Sequence, residues 1–295
     1  MFAVIVGVTS ALVFGAADFF GGLGAKRISA IRVAGLAGAT GLVTLLLAYP
    51  FIGGRWSAEA LALGALSGVA GSIAVSLLYA CLAIGPMSIL SPLTAVVSAI
   101  VPIAIALGTG DQLGTLAFVA LGIALVAVVL VGFVPERGAV RPSLLALLMA
   151  IGAGLGIGFF LVLIHLTPDD SGLVPLIANR AVNSTLLFGA VGIIAFIGWR
   201  KQVRAGALSD VANPAAGWRA GLWLAISCGV LETVANAGIL FGLRLGELSI
   251  MAVLMALYPA GTILLAAVVV KERIAPVQYL GLVLAIGAVA MLAVA

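Results

Sequence analysis

Charge is what this chain has least of: ten acidic and 14 basic side chains in 295 residues, 8% of the total against 64% hydrophobic. A water-soluble domain carries roughly 25% charged residues. A chain this apolar, with a mean hydropathy of +1.35, cannot cover its own surface in water, which excludes a soluble globular domain. Cysteine is almost as scarce. Cys81 and Cys228 are far apart and both sit inside apolar runs, so they form no disulfide framework and no metal-ligand spacing and read as small buried hydrophobes. The one histidine, His165, stands before Thr167-Pro168-Asp169-Asp170 with no metal-ligand partners in sequence. No metal and no cofactor is expected.

Catalytic and nucleotide motifs are missing as well. No HExxH, GxSxG or Walker pattern occurs, which argues against an embedded enzyme and against a self-contained ATP-driven pump. Passive flow or an ion gradient is left as the energy source. Nothing requires the ring or filter loop of a channel. The net charge of +4 fits loops facing an anionic leaflet better than it fits nucleic acid.

What the chain has is long apolar runs. Since a helical span needs about 20 mainly apolar residues, the charged and Pro/Gly-rich punctuation predicts helices over 2–23, 28–52, 59–83, 86–108, 112–134, 143–165, 172–199, 217–243, 246–270 and 276–294. The runs are continuous and do not alternate with period two, so helices are expected and a membrane barrel is not. Met1 to Phe14 has no basic leader and is read as the first span. The stretch from Arg200 to Trp218 is too short to bury a core. The expected fold class is therefore an all-α multi-pass membrane protein with ten transmembrane helices.

Basic residues crowd one set of loops. Lys26, Arg27, Arg137, Arg141, Arg200, Lys201, Arg204, Arg219, Lys271 and Arg273 fall in the odd-numbered loops, with Arg32 at a helix edge, against only Arg55 and Arg244 on the other face. The positive-inside rule puts the odd loops in the cytoplasm and both termini outside the cytoplasmic membrane.

The chain also resembles itself. A shift of 161 positions lays Gly85, Ser88, Ile89, Leu93, Ala95, Ala99 and Ala106 on Gly246, Ser249, Ile250, Leu254, Ala256, Ala260 and Ala267, and Asp111 on Glu272. This divides the chain into a first five-helix repeat over 1–134, a linker over 135–142 and a second repeat over 143–295. An odd helix count per half inverts the second half relative to the first, a common plan of secondary transporters in which the halves rock about a midplane site.

The run Gly246-Glu247-Leu248-Ser249-Ile250, then Tyr258-Pro259, Lys271-Glu272-Arg273, Gln278, Gly281 and Gly287 resembles the second-half signature of the EamA-type drug/metabolite transporters. Phe14-Gly15 followed by Lys26 is similar to that family's opening, where Trp-Gly is more usual. The first half departs further: Ser98 stands at the position of Pro259, Asp111 replaces Glu, and the prolines are Pro92 and Pro102. Within the family the chain resembles the YddG-like amino-acid exporters. The resemblance implies two five-helix inverted-topology repeats around a central cavity and export of small metabolites.

Ionisable groups inside spans cost about 2.5–3.5 kcal/mol on insertion scales, so each needs a reason. Glu232 shares a helix face with Asn236, and Ser227 and Cys228 lie near the preceding turn. It is a candidate for pairing with a substrate ammonium or carrying a proton, or else an interhelix tie. Asp18 is a candidate coupling group or a local partner of Lys26 or Arg27. Arg180, with Asn179 and Asn183 beside it, can fork onto a substrate carboxylate, snorkel to headgroups, or pair with Glu232. Ser88, Ser91, Thr94 and Ser98 draw a hydroxyl stripe on helix 4, and Ser72, Ser76 and Tyr79 draw another on helix 3. Such stripes either line a wet cavity with Tyr258 or pack helix on helix. Pro92, Pro102 and Pro259 permit kinks that a gate can use. Gly152, Gly154, Gly156 and Gly158 allow close backbone approach on at least one face of helix 6, and the glycine-bearing helices 5 and 10 are either scaffold or a pairing face.

The expected substrate-binding set is Tyr79, Thr94, Ser98, Arg180, Asn183, Glu232, Asn236 and Tyr258, with Asp18, Glu232, Pro92 and Pro259 as coupling or gating candidates. The function expected is a non-enzymatic secondary transporter that exports amino acids or similar small metabolites by alternating access. The alternatives are proton-coupled efflux of lipophilic cations and a non-transporting scaffold or sensor. Expected partners are a small-molecule substrate, the bilayer and protons as a candidate coupling ion, with no nucleic acid.

Overall fold

A computed structural model describes residues 2–25, 27–84, 87–109, 114–132, 142–204, 219, 221–271 and 275–294. Their regular structure is helical throughout: α1 (Phe2–Ala25), α2 (Ala30–Ile52), α3 (Ala58–Ile84), α4 (Met87–Thr109), α5 (Thr115–Gly132), α6 (Leu144–His165), α7 (Val174–Arg204), α8 (Leu222–Leu245), α9 (Leu248–Ala256), α10 (Tyr258–Leu265) and α11 (Pro276–Val294), with a 3-10 turn at Asp169–Ser171. Among the described residues seven helical stretches are long and apolar enough to cross a membrane: Phe2–Ala25, Ile31–Ile52, Ala58–Leu78, Leu144–His165, Val174–Ile197, Leu222–Leu245 and Leu248–Val269. Shorter apolar helices cover Leu93–Thr109, Thr115–Val131 and Pro276–Leu292. A helix satisfies its own backbone, which lipid cannot do.

Three of the expected helices differ by a full turn or more, and one of them, α8, begins at Leu222 where 217 was expected. α7 runs on to Arg204, past the expected end at 199. The run over 246–270 is interrupted at Leu257, and its last turn, Ala266–Val270, is a π-helix. Pro259 has no N–H to continue the ladder. The chain tightens ahead of it: the Leu257 N–H donates to the Leu254 carbonyl, and the Ala260 N–H to the Leu257 carbonyl.

Small residues set how the helices meet. In lipid there is no hydrophobic drive between apolar helices, so close backbone approach supplies the attraction. α1 runs antiparallel to α8, Gly21 meeting Cys228 and Gly242 meeting Val6. α3 runs antiparallel to α6, and α2 antiparallel to α7, where Gly35, Gly38 and Gly41 meet Phe188, Ser184 and Arg180. α5 runs antiparallel to α11, held by the Gln278 amide donating to the Val131 carbonyl at 3.1 Å. Parallel neighbours are α2 with α8 (Ala37 to Gly229, Gly41 to Thr233), α3 with α7 (Gly64 to Pro175, Gly68 to Asn179), α1 with α9 and α10 (Gly7 to Met251, Gly15 to Tyr258 and Thr262), and α4 with α6. The four α6 glycines serve two faces: Gly152 and Gly156 meet α3, while Gly154 and Gly158 meet α4. α9 lies at the core, every residue but Ile250 buried.

One end of the bundle is tied by loops. The Arg55 N–H donates to the Asp170 carbonyl at 2.9 Å and the Leu173 N–H to the Gly53 carbonyl at 3.2 Å. Arg55 also pairs with the Asp170 carboxylate at 3.4 Å. From the end of α8, Arg244 Nη2 donates to Ser171 Oγ and the Gly172 carbonyl at 3.0 and 3.2 Å. The two cations that stand apart from the basic loops thus converge on the Asp169-Asp170 turn.

Candidate functional site

The polar groups that the apolar spans carry meet where α1, α2, α7 and α8 cross. Arg180 of α7 is buried, and its Nη2 lies 3.1 Å from Glu232 Oε1 of α8, an ion pair without hydrogen-bond alignment. Glu232 keeps 25% of its side-chain surface accessible against 6% for Arg180. Asp18 of α1 is within range of the Glu232 charge. Cys228, one turn before Glu232, is within range of the Glu232, Asp18 and Arg180 charges, and its sulfur lies against Gly21 of α1, 3.1 Å from where a Cβ would stand. Space for these side chains comes from α2, where Gly38 faces Ser184 and Asn183, and Gly41 faces Thr233 and Arg180. A Cβ at Gly38 would lie 2.9 Å from Ser184 Oγ.

A second polar seam joins α7 to α3. The Asn179 amide donates to Ser67 Oγ at 2.8 Å and the Asn183 amide to Ser72 Oγ at 3.0 Å, while each serine hydroxyl donates to its own helix backbone. Such bonds in a membrane interior are worth about 0.6 kcal/mol on average and under ~2 at most. Asn183→Ala is accordingly expected to lower stability in detergent by about 1 kcal/mol or less, read from the thermal midpoint of the purified protein. A loss several times larger would give the seam a bigger share of the fold than its two bonds allow.

Four buried polar atoms at the crossing have no hydrogen-bond partner among the described residues: Arg180 Nη2, Ser184 Oγ, Thr233 Oγ1 and Asn236 Oδ1. The Asn236 amide is used locally, donating to the Glu232 backbone carbonyl at 2.9 Å. Buried polar groups are nearly always matched, and three unmatched oxygens beside one ion pair single out this crossing among the described residues. Thr233 and Ser184 escaped the sequence reading. Their signal was adjacency to Glu232 and Asn183.

The other expected residues lie apart from this crossing or outside the described side chains. Thr94 is fully buried where α4 meets α6, its hydroxyl shared between the Leu90 and Ala150 carbonyls at 3.0 and 3.2 Å. Ser98 donates to the Ala95 carbonyl at 2.8 Å. Tyr258 packs its ring on Phe14 with centroids 5.7 Å apart, directly after the break at Leu257, and Pro259 follows it. The side chains of Tyr79, Ser88, Ser91 and Pro92 lie outside the described residues, as do Lys26, Asp111, Arg137, Arg141, Glu272 and Arg273. Cys81 and Cys228 are both buried.

A solved crystal structure overlays on the chain with a TM-score of 0.71, covering 98% of this chain and 97% of that one at 15% sequence identity, a likeness of fold alone. No curated protein matches the sequence. Residues 144–294, more than half the chain, match the EamA-like transporter family. With its apolar helices and its ionisable groups held inside them, the chain belongs to the EamA-like transporter family, membrane transporters of small molecules.

Proposed function

We propose that the protein exports amino acids or similar small amphipathic metabolites by alternating access, with ten spans in two five-helix halves, 1–134 and 143–295, of opposite orientation. The Arg180–Glu232 pair carries the proposal. A guanidinium and a carboxylate 3.1 Å apart, beside unmatched polar atoms and with the Asp18 carboxylate within range of the same charge, offer the carboxylate and the ammonium of a zwitterion complementary partners in one place. An unmatched buried donor or acceptor costs about 1–3 kcal/mol. A zwitterion that satisfies several of them recovers that cost, and its apolar side chain is left to the surrounding spans.

Inversion is supported by the way helices pair. Taking α6, α7, α8, α9 with α10, and α11 as counterparts of α1 to α5, the counterparts α2 and α7 run antiparallel, as do α5 and α11. Halves of like orientation would run these pairs parallel. The remaining contacts exchange in kind: α1 on α8 has its counterpart in α3 on α6, and α1 on α9 and α10 has its counterpart in α4 on α6. In the 161-residue register Val101 corresponds to Thr262, and these meet Gly158 and Gly15. The charge bias of the loops favours a cytoplasmic membrane with both termini outside.

Efflux of lipophilic cations is the second reading, favoured by a second carboxylate, Asp18, within range of the Glu232 charge that Arg180 pairs. Proteoliposomes loaded with labelled phenylalanine or leucine separate the two. Efflux of amino acid, lost in Glu232→Gln, is expected. Vesicles that hold their amino acid yet move a lipophilic cation against protons would replace the first reading by the second.

A further inference from the structure

We infer that Asp18, and not Glu232, is the group that exchanges cations during transport: its carboxylate takes a proton when the carrier is empty and the ammonium of the cargo when it is loaded. The inference rests on the transport reading and names the residue at which a cargo amine and a proton compete.

Charge accounting comes first. Asp18 and Glu232 lie within range of each other's charge, and Arg180 is bound to Glu232. Glu232 therefore has a fixed counter-ion. Asp18 faces that pair as a second carboxylate, and a second negative charge held in a membrane interior calls for a cation of its own.

The face of α1 on which Asp18 stands separates it from a lipid-facing accident. Phe2, Ile5, Thr9 and Leu12 are exposed along one side of the helix, the side that an apolar span turns to lipid. Residues seven apart share a face, and Val4 and Ala11, which precede Asp18 in that seven-residue series, are buried at 4% and 2% exposure. The series then opens: Asp18 is exposed, Gly22 one turn on is exposed too, and a Cβ at Gly22 would meet no atom within 4 Å. The inward seam of α1 thus becomes accessible at the level of the carboxylate, where Gly21 meets Cys228.

The groups that face Asp18 can be named element by element. From α8 come Glu232 and Cys228, and from α7 Arg180, through Glu232. On α2, which runs beside α8 with Gly41 at Thr233, Arg32 and Tyr49 are each about 12 Å along the axis from that level. α9 holds no titratable residue. On α10 Tyr258 is engaged with Phe14, and on α11 Tyr279 is exposed. Arg244 lies at the far end of α8, and Arg27 stands nine residues beyond Asp18, about 13 Å along the helix axis.

The full-length protein reconstituted in lipid tests this with dicyclohexylcarbodiimide, which adds across the O–H of a protonated carboxylic acid in an apolar setting and leaves an acylurea that peptide mass spectrometry locates. The adduct is expected on Asp18, falling as pH rises and reduced by phenethylamine. An adduct on Glu232 in its place, no adduct on Asp18 at any pH, or an Asp18 adduct lacking either the pH dependence or the amine protection overturns the inference. Asp18→Asn proteoliposomes give a second readout. Amino-acid efflux that responds to an imposed proton gradient in the parent chain is expected to lose that response, and a retained response overturns the role of Asp18. Labelling needs neither the variant nor a flux. If the vesicles move no amino acid, the export reading fails while the labelling still decides Asp18.

Discussion

Arg180→Met is expected to destabilise the protein by about 3 kcal/mol, and adding Glu232→Gln to the same chain is expected to restore most of that loss. Removing one partner of a buried ion pair costs about 3–5 kcal/mol, because the surviving charge is left uncompensated, whereas replacing both partners by neutral groups of similar shape is often neutral or better. The lower end of that range applies here, since a quarter of the Glu232 side chain stays accessible and sheds part of the penalty. Methionine keeps the length and packing of the arginine stem against Gly41, so the measured effect belongs to the charge. Thermal unfolding of the two single variants and the double variant in one detergent closes the cycle and gives the coupling between the sites. A double variant no more stable than Arg180→Met would mean that the guanidinium is needed for packing, and that its distance to Glu232 is incidental. The double variant also separates fold from transport. It is expected to be stable and yet to move no amino acid, since the guanidinium offered to the carboxylate of the zwitterion is gone together with the carboxylate that holds it in place.

Seven of the expected spans stand in the structure as helices long and apolar enough to cross a membrane, and they were legible because continuous apolar runs between charged punctuation leave the backbone no alternative to a helix. The interruption at Leu257 was legible in kind: a proline inside a span removes a donor, and Pro259 does so here. The π turn after α10 was not, because an extra residue in a uniformly apolar stretch changes no pattern. α9 shows the same limit from the other side. It is buried nearly all round, so no polar stripe records which neighbours it meets. In the candidate site, Arg180, Glu232, Asn183 and Asn236 stood out as costly groups in apolar runs, and the meeting of Arg180 with Glu232 needed only the pairing rule for intramembrane charge. Hydroxyls carried less information. Thr94 and Ser98 are spaced as a cavity wall would space them, yet they bond to helix backbone at the α4–α6 crossing and in their own turn. The approach of Asp18 to Glu232 joins the first helix to the eighth, and no local spacing encodes it.

Gly172→Ala is expected to cost about 3–4 kcal/mol, and Gly53→Ala about 2 kcal/mol, although both glycines hold positive φ in the same loop junction. At Gly53, φ is 75° and ψ −161°, a backbone that glycine almost alone adopts, and an added Cβ meets nothing within 4 Å, so alanine would bear the backbone penalty alone. At Gly172, φ is 52° and the Cβ would overlap the Gly53 carbonyl oxygen and the Gly54 Cα, backbone atoms that cannot rotate away. The loops would have to part. Parting breaks the Leu173 N–H bond to Gly53 and the Arg55 N–H bond to Asp170, and it pulls the Gly172 carbonyl from Arg244. Each such bond nets about 0.5–1.5 kcal/mol, more where a charged group takes part, and together they account for the excess over the Gly53 control. Gly54→Ala should fall with Gly172→Ala, since φ is 144° there and its Cβ would overlap the Ser171 carbonyl from the opposite loop. Thermal midpoints of the three variants in one detergent decide the matter. Equal losses at all three positions would show that backbone strain alone governs the junction and that the close approach of the two loops contributes nothing.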